Sequence, residues 1–329
     1  MMHTKELVAC DRIFDVMEAY HGNRYVLIWN LEVEESLLKL GPGVYIRRLD
    51  GDISVFDLAA AGAAGFREWA MLEPFLARCS CEIEVEPDEA IESAGKTLDK
   101  AWLASALIRL KGFSGHLPVA SSSYSWSVIA GHQERTKGIF QEELEESGVE
   151  SAVYSPKRGL PPFEGQLLDV HTSLLGNEDA KTMLRKEDAD WISDNYEKFS
   201  RLRGESEAFN FALAAAVEWQ YASSPRVAIA QLWSGIEALF GISSELVYRI
   251  SLQVASLLEE RGIARKEKFE KVKRLYDIRS KAVHGNELSF SGLYKAVLES
   301  FDILSRLLLV NVEKGRPFTS DDIKKAIFY

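Results

Sequence analysis

Arg279 and His284 stand five positions apart near the end of a helical pattern, and their types are those that break a phosphodiester bond. An arginine offers a planar fork of N–H donors that matches phosphate oxygens, and a histidine gives or takes a proton near neutral pH. No metal is needed for that pairing. Arg279 also breaks a rule of its own helix. The positions Phe269, Val272, Tyr276 and Val283, flanked by Leu275 and Ala282, mark an apolar stripe on which residue 279 should be apolar too. An unpaired guanidinium on such a face costs several kcal/mol, so Arg279 needs a carboxylate, a wet cavity or a bound anion. Glu237 and Asp277 are the carboxylates that could satisfy it structurally, and that alternative stands beside the functional one. Gly285 reads as the left-handed residue that closes the helix. A helix C-terminus favours positive charge, so the pKa of His284 is expected to be held up toward neutrality.

The elements that must position this pair are helical. Ser223-Ser224-Pro225 is a helix start, and Ile229, Leu232, Trp233, Ile236, Leu239 and Phe240 form one stripe that ends at Gly241. Leu246, Ile250, Val254, Leu257 and Leu258 form the next, with Gly262 after its end. The stripe with Arg279 ends at Gly285, and Phe290, Tyr294, Val297, Phe301, Leu304 and Leu308 make another. An earlier helix is expected over 205–221. Short connections favour antiparallel neighbours, hence a compact bundle over residues 185–329.

Residues 1–184 read differently, as an α+β domain. Strands are expected at Tyr25–Trp29, at Val44–Ile46 and Ile53–Phe56 around an Asp50-Gly51-Asp52 turn, at Cys81–Glu86 and at Tyr124–Val128. The last two alternate strictly and should be half-buried, with one apolar face. A long helix is expected over 89–110, and 154–162 is rich in turn residues and reads as a loop or linker.

Composition narrows the classes. The 329 residues are 47% hydrophobic and 27% charged, which is globular. The net charge is −11 and unevenly placed: residues 185–329 carry 22 Lys and Arg against 21 Asp and Glu, which leaves −12 in the first 184. Nine basic residues between Arg261 and Lys281 meet three acids there, a local +6 that is either a phosphate-holding strip or the solvated face of a helix. Cys10, Cys79 and Cys81 cannot all pair, which favours a reducing, cytoplasmic setting. No apolar run is long enough for a membrane span, and the first residues lack a signal-peptide pattern. His116, His132 and His171 have no companion at ligand spacing, so no metal and no cofactor is expected. Gly41-Pro42-Gly43 and Ala61–Gly65 lack the Lys-Ser/Thr of a P-loop, and Ser121-Ser122-Ser123 is not a nucleophile elbow. Tyr124 and Trp126 could stack bases, although paired aromatics on a strand more often fill a core.

Leu275-Tyr276-Asp277-Ile278-Arg279-Ser280-Lys281-Ala282-Val283-His284-Gly285, preceded by Trp233-Ser234-Gly235-Ile236-Glu237-Ala238-Leu239-Phe240 and by Tyr248-Arg249-Ile250-Ser251, resembles the HEPN superfamily, and most closely its Apea-like branch. The resemblance covers about residues 188–312. It implies a metal-independent endoribonuclease of the R-x4-6-H type, often found in prokaryotic defence or toxin systems, with Arg279 and His284 as the catalytic pair. Cleavage would use the RNA's own 2′-hydroxyl. It further implies a homodimer in which two such helices face one cleft, so that the second copy supplies the second histidine. Ser280, directly after the arginine, fits the family pattern. Lys273, Arg274, Lys281 and Arg249 could hold flanking phosphates, with Glu237 as a supporting or competing ion-pair partner. Toxins of this family that are silenced by nucleotidylation carry a tyrosine two residues after the histidine; Asn286 stands there in this chain. The competing expectation is a catalytically silent bundle used for dimerisation or nucleotide binding. A further alternative keeps the nuclease but holds it inactive until residues 1–184, as a sensor or regulatory module, meet a protein trigger or inhibitor.

Overall fold

A computed structural model describes residues 22–60, 70–87, 94–130, 165–168, 180–241 and 246–329. The 154–162 segment, His132, His171, Cys10 and the N-terminal residues fall outside them. The chain divides into two compact units, and the division lies between Asp194 and Asn195, inside one helix. That differs from the expected boundary at 184/185.

The first unit is built on a six-stranded antiparallel sheet. Its strands are β1 (Arg24–Trp29), β3 (Leu37–Gly41), β4 (Val44–Arg48), β5 (Cys81–Val85), β6 (Leu117–Ser122) and β7 (Gly165–Leu167), in the order β3-β4-β5-β1-β6-β7. A short parallel pair joins β2 (Glu32–Val33) to β8 (Met183–Leu184). Among the described residues the strands are accompanied by a 3-10 turn (Ala70–Leu72) and by the helices α1 (Val55–Ala60), α2 (Glu73–Leu76), α3 (Ala94–Leu110) and α4 (Trp126–Ile129). The α+β expectation holds, with three local corrections.

The hairpin at β4 turns on the other side. β4 pairs with β3 through Pro42-Gly43, where Gly43 takes φ +63°, and not across Asp50-Gly51 with Ile53–Phe56. The latter stretch is the start of α1, because Ser54 and Asp57 cap it reciprocally: the Asp57 carboxylate accepts from the Ser54 backbone N–H at 2.9 Å, and the Asp57 N–H donates to the Ser54 hydroxyl at 3.2 Å. The alternating Tyr124–Val128 is no strand either. Ser125 caps α4 by accepting from the Ser127 N–H, and Trp126 is fully buried beneath it.

The third correction is chemical. β5 has no wet face, since all five of its residues are buried, including Glu82 and Glu84. Glu82 accepts from the Ser125 hydroxyl at 2.7 Å and the Trp126 N–H at 2.6 Å, so it fastens α4 to the sheet. Glu84 accepts from Asn23 and pairs with Arg47 at 2.6 Å. Burial, opposed by those hydrogen bonds and by Arg47, raises the Glu82 pKa from the ordinary 4.5 to about 7. A carboxyl raised in the folded state stabilises that state fully below its unfolded pKa and loses the contribution as pH rises through about 7. Glu82→Gln, which mimics the protonated form, is therefore expected to remove roughly 2–3 kcal/mol of stability loss between mildly acidic and mildly alkaline pH. Urea titrations across that range check it; equal pH slopes for the two proteins would contradict it.

His116 is also interior. The Phe113 carbonyl can only accept, so His116 Nδ1 donates to it at 2.6 Å, and Nε2 accepts from the Ser105 hydroxyl at 2.8 Å. Burial, with Arg109 adding to it, lowers its pKa to about 3. This neutral ring is a core spacer.

The second unit is helical: part of α5 (Lys186–Glu205), then α6 (Glu207–Glu218), α7 (Pro225–Phe240), α8 (Leu246–Leu258), α9 (Ile263–Val283), α10 (Phe290–Lys314) and α11 (Ser320–Phe328). The start expected at Ser223-Ser224-Pro225 and the stop expected at Gly241 recur, and two further serine caps were not anticipated. Ser206, Ser224 and Ser289 cap α6, α7 and α10 with their hydroxyls, and Gly241 closes α7 at φ +58°. Gly262 begins α9, where it was expected only to follow α8. α11 was not anticipated; it starts on a Thr319/Asp322 capping box. α7 lies at the centre, packed on α6, α9 and α10. Its Gly235 permits that closeness, since a Cβ there would meet the Ala215 Cβ at 2.9 Å. Among the described residues no helix is long and apolar enough to cross a membrane.

Candidate functional site

α9 presents Val272, Leu275, Tyr276 and Ala282 to the core, and Arg279 lies at the edge of that face. Its guanidinium Nη2 is 3.3 Å from Glu237 Oε1, with each side chain 23% exposed. Of the two carboxylates that the sequence offered, Glu237 is the partner. Asp277 is two residues away, about 200° around the helix, and points to solvent.

The arginine rests on a column of side chains that runs into the core. Its guanidinium carbon lies 5.5 Å from the centre of the Tyr276 ring. Tyr276 meets Trp233 edge to face at 5.1 Å and 88°, and the Trp233 indole N–H donates to the Ser300 hydroxyl at 3.0 Å. Ser300 donates onward to the Ala296 carbonyl at 2.7 Å. Trp233 and Glu237 are four apart on α7, so one helix face supplies both the floor and the counter-ion. Burial, and then the Glu237 charge, push the Tyr276 pKa up, which keeps its hydroxyl protonated.

His284 is set differently. It follows the last turn of α9 and is exposed to solvent, and among the described residues its imidazole makes no hydrogen bond. The turn beneath it is closed in Schellman form: the Gly285 N–H donates to the Ala282 carbonyl at 3.4 Å and the Asn286 N–H to the Lys281 carbonyl at 3.0 Å. Gly285 takes φ +77°, the left-handed conformation expected of it. Five positions at about 100° each set His284 about 140° around the axis from Arg279. The two side chains thus leave the helix on different sides, Arg279 at the edge of the core face beside Glu237 and His284 in solvent. Val283, expected in the apolar stripe, is 53% exposed instead. The face that carries Arg279 therefore opens to solvent at its C-terminal end.

The basic strip is largely committed to the fold. Lys268 pairs with Glu259, Lys271 and Arg274 with Glu299, and Arg279 with Glu237. Arg261 and Arg265 donate to the Ile327 and Ala326 carbonyls at the C-terminal end of α11, where a helix dipole favours cations. Lys266, Lys273 and Lys281 remain exposed. Lys273, Arg274 and Lys281 share the outer side of α9 with His284, not the side with Arg279. Ser280 is half-buried, Arg249 and Asn286 are exposed, and among the described residues Asn286 is engaged through its backbone and not its side chain.

The residue that sequence reasoning missed is Arg226. It donates from α7 to the carbonyls of Ala282 at 2.9 Å and Asn286 at 2.6 Å, on either side of His284. Its partners are backbone atoms, which carry no sequence signal. Among the described residues no three His, Cys, Asp or Glu side chains gather as a metal would require. Compared with family models, with curated proteins and with solved structures, the chain matches none.

Proposed function

We propose that the chain is a HEPN-type endoribonuclease that cleaves RNA without a metal and works as a homodimer. The observation that carries this reading is Arg279, held by Glu237 at the edge of a face that is still open to solvent, with an exposed histidine at the end of the same helix. In the reaction, a neutral His284 takes the proton of the ribose 2′-hydroxyl. The 2′-oxygen attacks phosphorus, and the bond from phosphorus to the 5′-oxygen breaks. The His284 of a second copy, protonated, gives its proton to that leaving oxygen, so products are a 2′,3′-cyclic phosphate and a 5′-hydroxyl. The Arg279 fork meets the charge that grows on the phosphate oxygens. Exposed Val283 beside this opening suits burial against the second copy. A role in prokaryotic defence, with the N-terminal unit as sensor for a protein trigger or inhibitor, belongs to the same proposal and rests on the family resemblance.

A second reading is favoured by the same ion pair. Glu237 already neutralises Arg279, as a silent dimerisation or nucleotide-binding bundle would have it. Labelled RNA incubated with the purified chain in chelator separates the two. Cleavage that depends on Arg279 and His284 supports the enzyme, and intact RNA under conditions that also reveal a dimer supports the silent bundle.

A further inference from the structure

We infer that Arg226 is a positioning residue for His284, holding the turn that carries the imidazole; only the catalytic consequence of this inference rests on the nuclease reading above. Arg226 follows Pro225 in the first turn of α7 and is half-buried. Its two terminal nitrogens donate to two different carbonyls, Ala282 two residues before His284 and Asn286 two residues after it. One planar fork thereby staples both sides of a single turn. A lysine, with one compact ammonium, cannot hold both carbonyls with the same fixed geometry.

The turn needs that staple. It lies at a helix end, where the last carbonyls lack helical partners, and its residues 283–287 are exposed. Segments with few buried contacts open most readily. The imidazole has no hydrogen bond of its own among the described residues, so its place is set by its backbone. Ala282 illustrates the point: its carbonyl accepts from Gly285 only at 3.4 Å, and Arg226 supplies the shorter bond at 2.9 Å. Arg226 also brings positive charge to the C-terminal end of α9, where the helix dipole welcomes it.

The placement has a consequence for the pair as a whole. Arg226 and Glu237 belong to the same helix, eleven residues apart. α7 therefore grips α9 twice, at the guanidinium of Arg279 through Glu237 and at the His284 turn through Arg226. The spacing between the phosphate-holding group and the proton-moving group is fixed by one rigid element, as a preorganised site requires.

The test uses the full chain with Arg226→Gln and Arg226→Lys. Two quantities are read: amide hydrogen exchange at Asn286, against core amides of α10, and kcat and KM on labelled RNA in chelator. Arg226→Gln is expected to speed exchange at Asn286 about tenfold or more while the α10 core amides keep their rates. Its kcat should fall on the order of 100-fold with KM nearly unchanged, the scale of a misplacement of about 1 Å. Arg226→Lys should recover part of both effects, because it can restore one of the two bonds. Unchanged exchange at Asn286 in Arg226→Gln, or exchange that quickens equally throughout α10, overturns the inference. If wild-type chain leaves RNA intact, the nuclease reading fails by itself, and exchange at Asn286 still decides whether Arg226 holds the turn.

Discussion

His284→Ala is expected to lower RNA cleavage by on the order of 100-fold to 10,000-fold, the range that a positioned proton-transfer group supplies. Its fold should be untouched, since the side chain is exposed and makes no hydrogen bond among the described residues. Arg279 tests the other half of the chemistry. Arg279→Lys keeps the charge beside Glu237 but loses the planar fork, so cleavage should drop by on the order of 100-fold or more while the bundle stays folded. Arg279→Ala is the less informative change, because it leaves the partly buried Glu237 carboxylate without its cation and mixes a stability loss into the rate. Rates from single-turnover cleavage of a labelled RNA, at matched concentrations of folded protein, check both variants. Cleavage by either at the wild-type rate would remove that residue from the mechanism.

Trp233→Ala is expected to have the largest effect on stability. The indole is fully buried, floors Tyr276 and donates to Ser300. Truncating a buried tryptophan costs about 3–5 kcal/mol, from lost transfer energy and the cavity left behind. Trp233→Phe keeps most of the ring and forfeits the indole N–H. Ser300 still donates to the Ala296 carbonyl, so that change should cost only about 1 kcal/mol. Urea unfolding followed by circular dichroism of the helices measures the two. The Ala variant should also loosen Tyr276, and with it the seat of Arg279, so its cleavage should fall even where it remains folded. Equal stabilities for the Ala and Phe variants would contradict the column that links Ser300 to Arg279.

The helical unit was legible because its signals are local. Ser224-Pro225, Gly241 and Gly285 each act within a turn of their own position, and the chain obeys them. The anomaly of Arg279 was legible too, since helical spacing alone exposes a charge on an apolar face. Which acid would answer it was not, because Glu237 is far away in the sequence and only the packing of α7 on α9 brings it to Arg279. Arg226 was invisible for a stronger reason, as its partners are carbonyls that every residue carries. In the first unit, period-two alternation misled twice. Tyr124–Val128 alternates, yet a buried carboxylate from β5 captures its backbone N–H and turns it into a helical cap. Cys81–Glu86 alternates as well, and Glu82 and Glu84 are covered on the face that the pattern would expose to water, while Glu86 is exposed. Both departures turn on the buried acids of β5, Glu82 and Glu84, whose burial is decided by tertiary partners.

The chemistry of the cut ends tests the central claim most directly. A short RNA is incubated with the chain in excess chelator, and the masses of its fragments are measured. The account predicts fragments that end in 2′,3′-cyclic phosphate and begin with 5′-hydroxyl, together with no cut at a site whose 2′-hydroxyl has been replaced by hydrogen. Fragments ending in 3′-hydroxyl, cleavage at the deoxy site, or RNA left whole by the wild-type chain would contradict it.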